Sequence, residues 1–486
     1  MSRTEITAPP VDGVDYSRKW YVMSAIAMGI FLATIDGSIV NVALPTLTNE
    51  LNTDFATVQW VVLSYLLTVT ILQAIVGRLA DMYGRKFLYN AGFVVFTVGS
   101  FLCGLAPTVE WLILARVLQG VGGAMTLALG MAIITDAFPP GERGRALGIA
   151  GSIVSIGIVT GPTLGGAIIE NLSWHWIFFV NVPIGILGTY LAWRYIPQTK
   201  PKGGQKFDLA GAATLCVFLL ALLLGLTTGQ RQGFTSPQAL GLFVVAVFFL
   251  VTFILLERRH EQPIIPPSLF ANRVFRVNII TGLMVFIAMG VNALIPFYLE
   301  NALNYSVQQV GLLVAMVPLA LGITAPISGS LSDRVGSRSI SVIGLAVTMV
   351  AFLIISTLTA ETTAVGFMVR FFPLGVGVGL FQSPNNSSIM GNVPRDKLGV
   401  ASSLLAVTRS LGQTVGFAVL GSVWAALVFR ASGEILPGGA ESGSAEAIAA
   451  GIQGTALVSA GLAATALIIA LFAWRNERRA HLAPTA

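Results

Sequence analysis

Fourteen apolar stretches, each long enough to cross a bilayer as a helix, divide this chain between residues 21 and 474. They lie at roughly 21–45, 58–80, 87–106, 109–135, 146–169, 176–194, 208–227, 238–256, 277–299, 308–331, 339–359, 362–388, 399–429 and 450–474. A spanning helix needs about 20 mostly apolar residues, since backbone groups in oil must satisfy one another. Only 10% of the chain is charged and 55% is hydrophobic. A soluble domain carries about a quarter charged residues. The expected fold is an all-α integral membrane protein with fourteen transmembrane helices.

The loops test that count. Lys and Arg collect on the cytoplasmic side of a membrane. With the N-terminus inside, Arg231 and Arg430 alone fall outside, and Arg116, Arg370 and Arg409 lie within spans; the rest of the 28 Lys and Arg residues face inward. A miscount by one helix would scramble this alternation. The expected placement is a bacterial inner membrane with both termini cytoplasmic. The net charge of +6 is then an orientation signal, which removes the nucleic-acid reading. The polar N-terminal stretch with Asp12 and Asp15, followed by a long span, does not read as a cleaved signal peptide. Cys103 and Cys216 sit inside apolar segments, as small core residues rather than disulfide or metal partners.

The chain also repeats itself. Gly77-Arg78-Leu79-Ala80-Asp81-Met82-Tyr83-Gly84-Arg85 returns as Gly329 to Arg338, with Asp333 and Arg334 at its centre. Val40-Asn41-Val42-Ala43-Leu44-Pro45 returns as Val291 to Pro296, and Arg116 returns as Arg370. A nearly constant separation of roughly 252 residues implies two six-helix halves related by an axis along the membrane normal, with a solute path between them. The expected division is a tail at 1–19, a first bundle at 20–195, linkers and two extra helices at 196–272, a second bundle at 273–475 and a tail at 476–486.

Four motifs carry chemistry. Gly77-x-Leu79-x-Asp81-x-x-Gly84-Arg85 leaves helix 2; its glycines suit close approach and a tight turn. Asp81 is placed to face a helix N-terminus, where negative charge is favoured. On helix 5, Gly148, Gly157, Gly161-Pro162 and Gly165-Gly166 put Gly157, Gly161 and Gly165 on one face. That face permits close helix contact, and Pro162 is expected to kink the helix. Ordinary small-residue packing would give the same face. Helix 1 carries Asp36-Gly37-Ser38-Ile39-Val40-Asn41, and Ser173 to Gly185 forms an aromatic and Asn-Val-Pro run at the entry to helix 6.

Together these resemble the major facilitator superfamily, and within it the fourteen-span drug:proton antiporter-2 family of the EmrB/QacA type, from about residue 20 to 475. The resemblance implies two six-helix bundles with two inserted central helices. It implies proton-driven export, a gating latch at Gly77, Asp81, Gly84, Arg85, Asp333 and Arg334, and an antiporter motif in helix 5. It also assigns Arg116-Val117-Leu118-Gln119-Gly120 to proton transfer. Met82 departs from the usual basic residue of the latch, and Gly37-Ser38 from the commoner pair in helix 1.

Asp36 is the one acid well inside a span, about 24 Å along helix 1 from Trp20 at 1.5 Å per residue. A carboxylate in oil is costly and normally functional. Burial favours its neutral form, so a proton could compete with a cationic substrate for one site. An aspartate exposed to water at the outer end is the alternative. Arg116, which cannot usefully release its proton, would act electrostatically; Arg116 and Arg370 could equally brace helix carbonyls. Gln382, Pro384, Asn385 and Asn386 make a polar, broken stretch that suits either a cavity wall or a helix end. Asn41, Arg370, Arg409 and Gln413 complete the candidate cavity set. No phosphate-binding loop, His-Glu-x-x-His or Gly-x-Ser-x-Gly run occurs. The chain is therefore expected to be no enzyme and to need no cofactor beyond the proton gradient. Its expected partners are lipid, protons and a small amphipathic or cationic drug, with a periplasmic adaptor open. Export of an endogenous metabolite or lipid-like compound is the alternative, and a receptor or scaffold a lesser one.

Overall fold

The computed structural model describes residues 16–53, 55–198, 208–260, 263–265, 267–305, 307–433, 440 and 443–482. The side chains of Asn41 and Pro162 lie outside the described residues, as do residues 434–439, 441 and 442.

Among the described residues, fourteen helices are long and apolar enough to cross a membrane. The first half holds α1 (Lys19–Glu50), α2 (Phe55–Tyr83), α3 (Arg85–Gly104), α4 (Val109–Ala137), α5 (Arg143–Asn171) and α6 (Asn181–Tyr195). Then come α7 (Leu209–Gln232) and α8 (Pro237–Arg259). The second half holds α9 (Arg273–Ala288), α10 (Met316–Val335), α11 (Ser337–Ile355), α12 (Ala364–Gly391), α13 (Leu398–Ser432) and α14 (Ala445–Leu482). The architecture is all-α, two six-helix bundles plus an inserted pair.

Each half closes on its own core. Tyr89, Phe93 and Phe96 centre one buried cluster of the first half, and Trp174, Ile177 and Phe178 another. Tyr298, Phe352, Phe367 and Phe371 centre the second half. The inserted α7 docks Leu215 and Leu219 against Ala74 and Ile75 of α2, with Val407 of α13 at the edge. α8 shows Val244, Phe248, Val251 and Leu255 outward, the surface an oil-solvated helix needs.

Three predicted spans are not single helices. The sixth divides at Val180 into Trp176–Phe179 and Asn181–Tyr195. The tenth divides at Ala315 into Val307–Val314 and Met316–Val335. The ninth passes from α9 into a 3-10 stretch, Met289–Leu294, and then a π turn, Tyr298–Ala302. Each break lies just before a proline, Pro183, Pro318 or Pro296. A proline lacks the N–H its i−4 partner expects and crowds that carbonyl. By contrast α12 continues unbroken through Pro373 and Pro384. The break expected at Gln382–Asn386 is therefore absent, and α5 likewise runs unbroken past position 162.

Gly84 and Gly336 have φ of 96° and 99°. They form the matching sharp turns between α2 and α3 and between α10 and α11, where a side chain would be strained. Both turns lie at the end of the bundles that carries the basic loops, called the basic end below.

Candidate functional site

The deepest polar cluster is built around Asp36 and Arg116, each 0% exposed. They are 80 residues apart in sequence, on α1 and α4. Arg116 Nη1 donates to Asp36 Oδ2 at 2.5 Å. Gln119 Nε2 donates to Asp36 Oδ1 at 2.8 Å, and Asn181 Nδ2 to the same oxygen at 2.9 Å. Arg116 also donates through Nε to the Val61 carbonyl at 2.9 Å and through Nη1 to Gln119 Oε1 at 2.5 Å. The Tyr65 ring lies 4.2 Å from the guanidinium carbon, a cation–π distance. Ser100 Oγ accepts from Gln119 Nε2 at 2.7 Å.

Removing one member of a buried ion pair costs about 3–5 kcal/mol, because the remaining charge is left uncompensated. Here both charges also carry hydrogen bonds. Arg116 Nη2 and the Tyr65 hydroxyl remain without partners. A proton on Asp36 would remove the anion that holds Arg116.

The outer, water-exposed position for Asp36 is excluded by its complete burial. The hydrogen-bond partners described for Asp36 (Arg116, Gln119 and Asn181) all belong to the first half. Arg116 does both things the sequence left open, pairing with an acid and binding a helix carbonyl. Sequence reasoning missed Gln119 and Asn181 as ligands of the carboxylate. The signals were present: Gln119 lies one turn past Arg116, and Asn181 is the lone amide in an apolar run.

Asp81 and Asp333 hold the halves together at the basic end. Asp81 accepts from the Gly399 and Val400 amides at the start of α13, at 3.2 and 3.3 Å. Asp333 accepts from the Gly144 and Arg145 amides at the start of α5, at 3.1 and 3.2 Å. Each carboxylate caps a helix N-terminus of the opposite half, where unpaired N–H groups and the helix dipole favour it. Arg85 reinforces the first cap. It pairs with Asp81 at 3.1 Å and with Asp136, and reaches the Arg395 carbonyl at 2.7 Å. Arg334 is exposed and joins neither cap. Gly77 lies so near α13 that a Cβ would strike Ser403 and the Gly399 carbonyl.

The glycines of α5 serve two partners. Gly157, Gly161 and Gly165 lie against Thr34, Ser38 and Ile39 of α1. Gly148 instead meets Ala325 and Pro326 of α10, across the halves. Gly166 faces open space. Overpacking a helix contact costs about 1–3 kcal/mol. Gly161→Ala should therefore lower the melting temperature in detergent, and Gly166→Ala should not. Equal effects of the two would refute the α1–α5 packing.

The remaining candidates do not converge. Arg370 donates to Thr357 Oγ1 at 3.1 Å and to the Gly366 carbonyl at 2.9 Å, bracing the start of α12. It does not repeat the Arg116 site, because the position matching Asp36 is Ala288. Asn385 is 3% exposed, near Gly282 and Thr408 inside the second half, so it does not line an open cavity. Gln382 is half-buried on α12. Arg409 is partly buried and Gln413 exposed, one turn apart on α13.

Fourteen spanning helices, twelve of them in two pseudo-symmetric halves with matched caps at one end, define a multi-pass membrane transporter. The chain belongs to the major facilitator superfamily, whose model matches residues 26–417 and 277–485. It is 37% identical to the riboflavin transporter RibZ of Clostridioides difficile, over 84% of this chain and 89% of that relative. It is 32% identical to the multidrug transporter protein MdtP of Bacillus subtilis, over 84% of this chain and 75% of that relative. It is 35% identical to the multidrug resistance protein Stp of Mycobacterium tuberculosis, over 83% and 75%. Among solved structures, the human organic anion transporter MFSD10 superposes with a TM-score of 0.67 at 14% identity, covering 93% of this chain and 99% of that one. The proton:xylose symporter XylE gives 0.64 at 13%, covering 94% and 96%. At these identities the two share its fold.

Proposed function

We propose that this chain is a proton-coupled antiporter of the fourteen-span drug:proton type, exporting small amphipathic molecules by alternating access. The observation that carries the reading is the sealed Asp36–Arg116 pair with its two amide ligands. The positive-inside rule makes the basic end cytoplasmic, so the capped conformation is closed toward the cytoplasm. The hydrogen bonds described between the halves fall toward that end, among them Ser383 Oγ to the Gly144 carbonyl at 3.0 Å and Ser402 Oγ from the Ala132 amide at 3.3 Å.

A proton arriving at Asp36 from outside loosens α1 from α4. The α5 glycine face grips α1, and the start of α5 is what Asp333 caps. That continuous line of packing carries the mechanical effect of protonation to the latch. Opening the caps would turn the path inward, cargo would load, and proton release would reseal it. The energy source is the proton gradient, and no cofactor takes part.

The test is transport in everted membrane vesicles across a panel of amphipathic dyes and antibiotics. An imposed pH gradient should drive accumulation of at least one compound, and a protonophore should abolish it. Accumulation indifferent to the protonophore would sink proton coupling. The two multidrug-named relatives support drug cargo. The relative named as a riboflavin transporter favours a second reading, carriage of an endogenous metabolite. Metabolite profiling of a deletion strain separates them: unchanged intracellular pools count against the second.

A further inference from the structure

A partly exposed guanidinium on α13 stands without a counter-charge among the described residues. Arg409 lies on α13, whose sides are assigned by their neighbours. Gly399, Ser403 and Ser410 meet α2; Gly412 and Gly416 meet α9 at Leu283, Phe286 and Ile287. Val407 faces the inserted α7, on the far side. While α14 packs on α13 further along at Trp424, Leu427 and Val428, Arg409 and Gln413 point between the residues facing α2 and those facing α9. That is the side from which Ser402 reaches Ala132 of α4. Arg409 stands two turns beyond Ser402, or about 10 Å along the helix at 1.5 Å per residue. It therefore lies about three turns into α13 from the capped end.

No carboxylate among the described residues answers this guanidinium, and no hydrogen bond or charged neighbour is described for it. Asp36 is committed to Arg116, Asp136 to Arg85, and Asp81 and Asp333 to their caps. A second unsatisfied donor lies at the α2–α13 contact. Gln73 is 0% exposed, its Oε1 accepts from Ser410 at 3.4 Å, and its Nε2 has no partner. Arg409 is partly exposed, and charged residues within membrane spans mark solute paths. Arg cannot shed its charge, and its planar fork matches a carboxylate, sulfonate or phosphate bidentately.

We propose that Arg409 is the anchor for cargo bearing an acidic group, so that the substrates are amphipathic organic anions rather than cations. The proposal rests on the transport reading for movement of the cargo but not for its binding. Asp36, sealed inside the first half, then serves the proton alone. Cargo and proton occupy separate sites of opposite requirement.

The experiment uses two probes with one xanthene scaffold and different charge, fluorescein (anionic) and rhodamine 123 (cationic). Saturable binding to the full chain in nanodiscs is measured for wild type, Arg409→Gln and Arg409→Lys, with melting temperature recorded for each. Wild type should bind fluorescein at least tenfold tighter than rhodamine 123. Arg409→Gln should weaken fluorescein binding at least tenfold and leave rhodamine 123 unweakened, and Arg409→Lys should restore part of the loss. Three outcomes overturn the proposal: wild type without preference for fluorescein, Arg409→Gln binding fluorescein as wild type does, or equal loss of both dyes. Because binding needs no gradient, failure of pH-driven transport alone would sink the antiport reading and leave this one standing.

Discussion

Asp36→Asn should reduce pH-gradient-driven transport to background while the protein continues to insert in the membrane. Asparagine keeps the size of the side chain and can still accept from Gln119 and Asn181. It cannot take up or release a proton, so the step that ties the gradient to α1 is lost. It also leaves Arg116 buried with no counter-charge, at a cost of about 3–5 kcal/mol. The stability loss would confuse the reading of a single mutant. Adding Arg116→Gln removes the stranded cation as well. The double variant should recover most of the melting temperature and none of the coupled transport. Full pH-driven transport in Asp36→Asn would remove Asp36 from the mechanism. A double variant no more stable than Asp36→Asn alone would remove the ion pair as the cause of the instability.

Opening of the basic end is the second large effect. Asp81→Asn together with Asp333→Asn takes one charged cap from each side of the pseudo-symmetric latch. Hydrogen bonds to charged groups contribute about 1.5–3 kcal/mol each. Losing the charge at both caps should shift the closed–open balance by roughly two orders of magnitude, at 1.4 kcal/mol per factor of ten. The readout is a reporter cysteine at Ser402, now 1% exposed beside α4. Cys103 and Cys216 are replaced first. A membrane-impermeant thiol reagent applied at the basic end should label the reporter about 100-fold faster in the double variant. Unchanged labelling would mean that the carboxylates do not hold the gate. The single variants should each give an intermediate rate, since the two caps lie on different helix pairs.

Much of this site was legible in the chain, but unevenly. The latch was the most legible part. A turn glycine at Gly84 and a carboxylate three residues before it are local features, and their repetition at Gly336 and Asp333 made them stand out. The glycine face of α5 was legible for the same reason, since spacing by four determines a shared face whatever lies opposite. That Gly148 serves the other half while its neighbours serve α1 was not legible, because the partner is not written into the spacing. Asp36 and Arg116 were each visible as charges in oil. Their pairing was not, nor was the sealing of the pair away from the central space. Arg370 was legible only as an open choice between a cavity residue and a brace for helix carbonyls, and the structure shows the brace, on Thr357 and the Gly366 carbonyl.

The sequence by itself determined how many times the chain crosses the membrane, that it does so as two copies of one plan, and which residues form its caps. In oil these depend on the length and polarity of each segment, since a helix must satisfy its own backbone before it meets any neighbour. Only the tertiary structure decided which way each helix is turned about its axis. That rotation follows from packing against several distant segments at once. It put Asp36 against Arg116 inside one half, and left Arg409 partly exposed with no carboxylate described beside it.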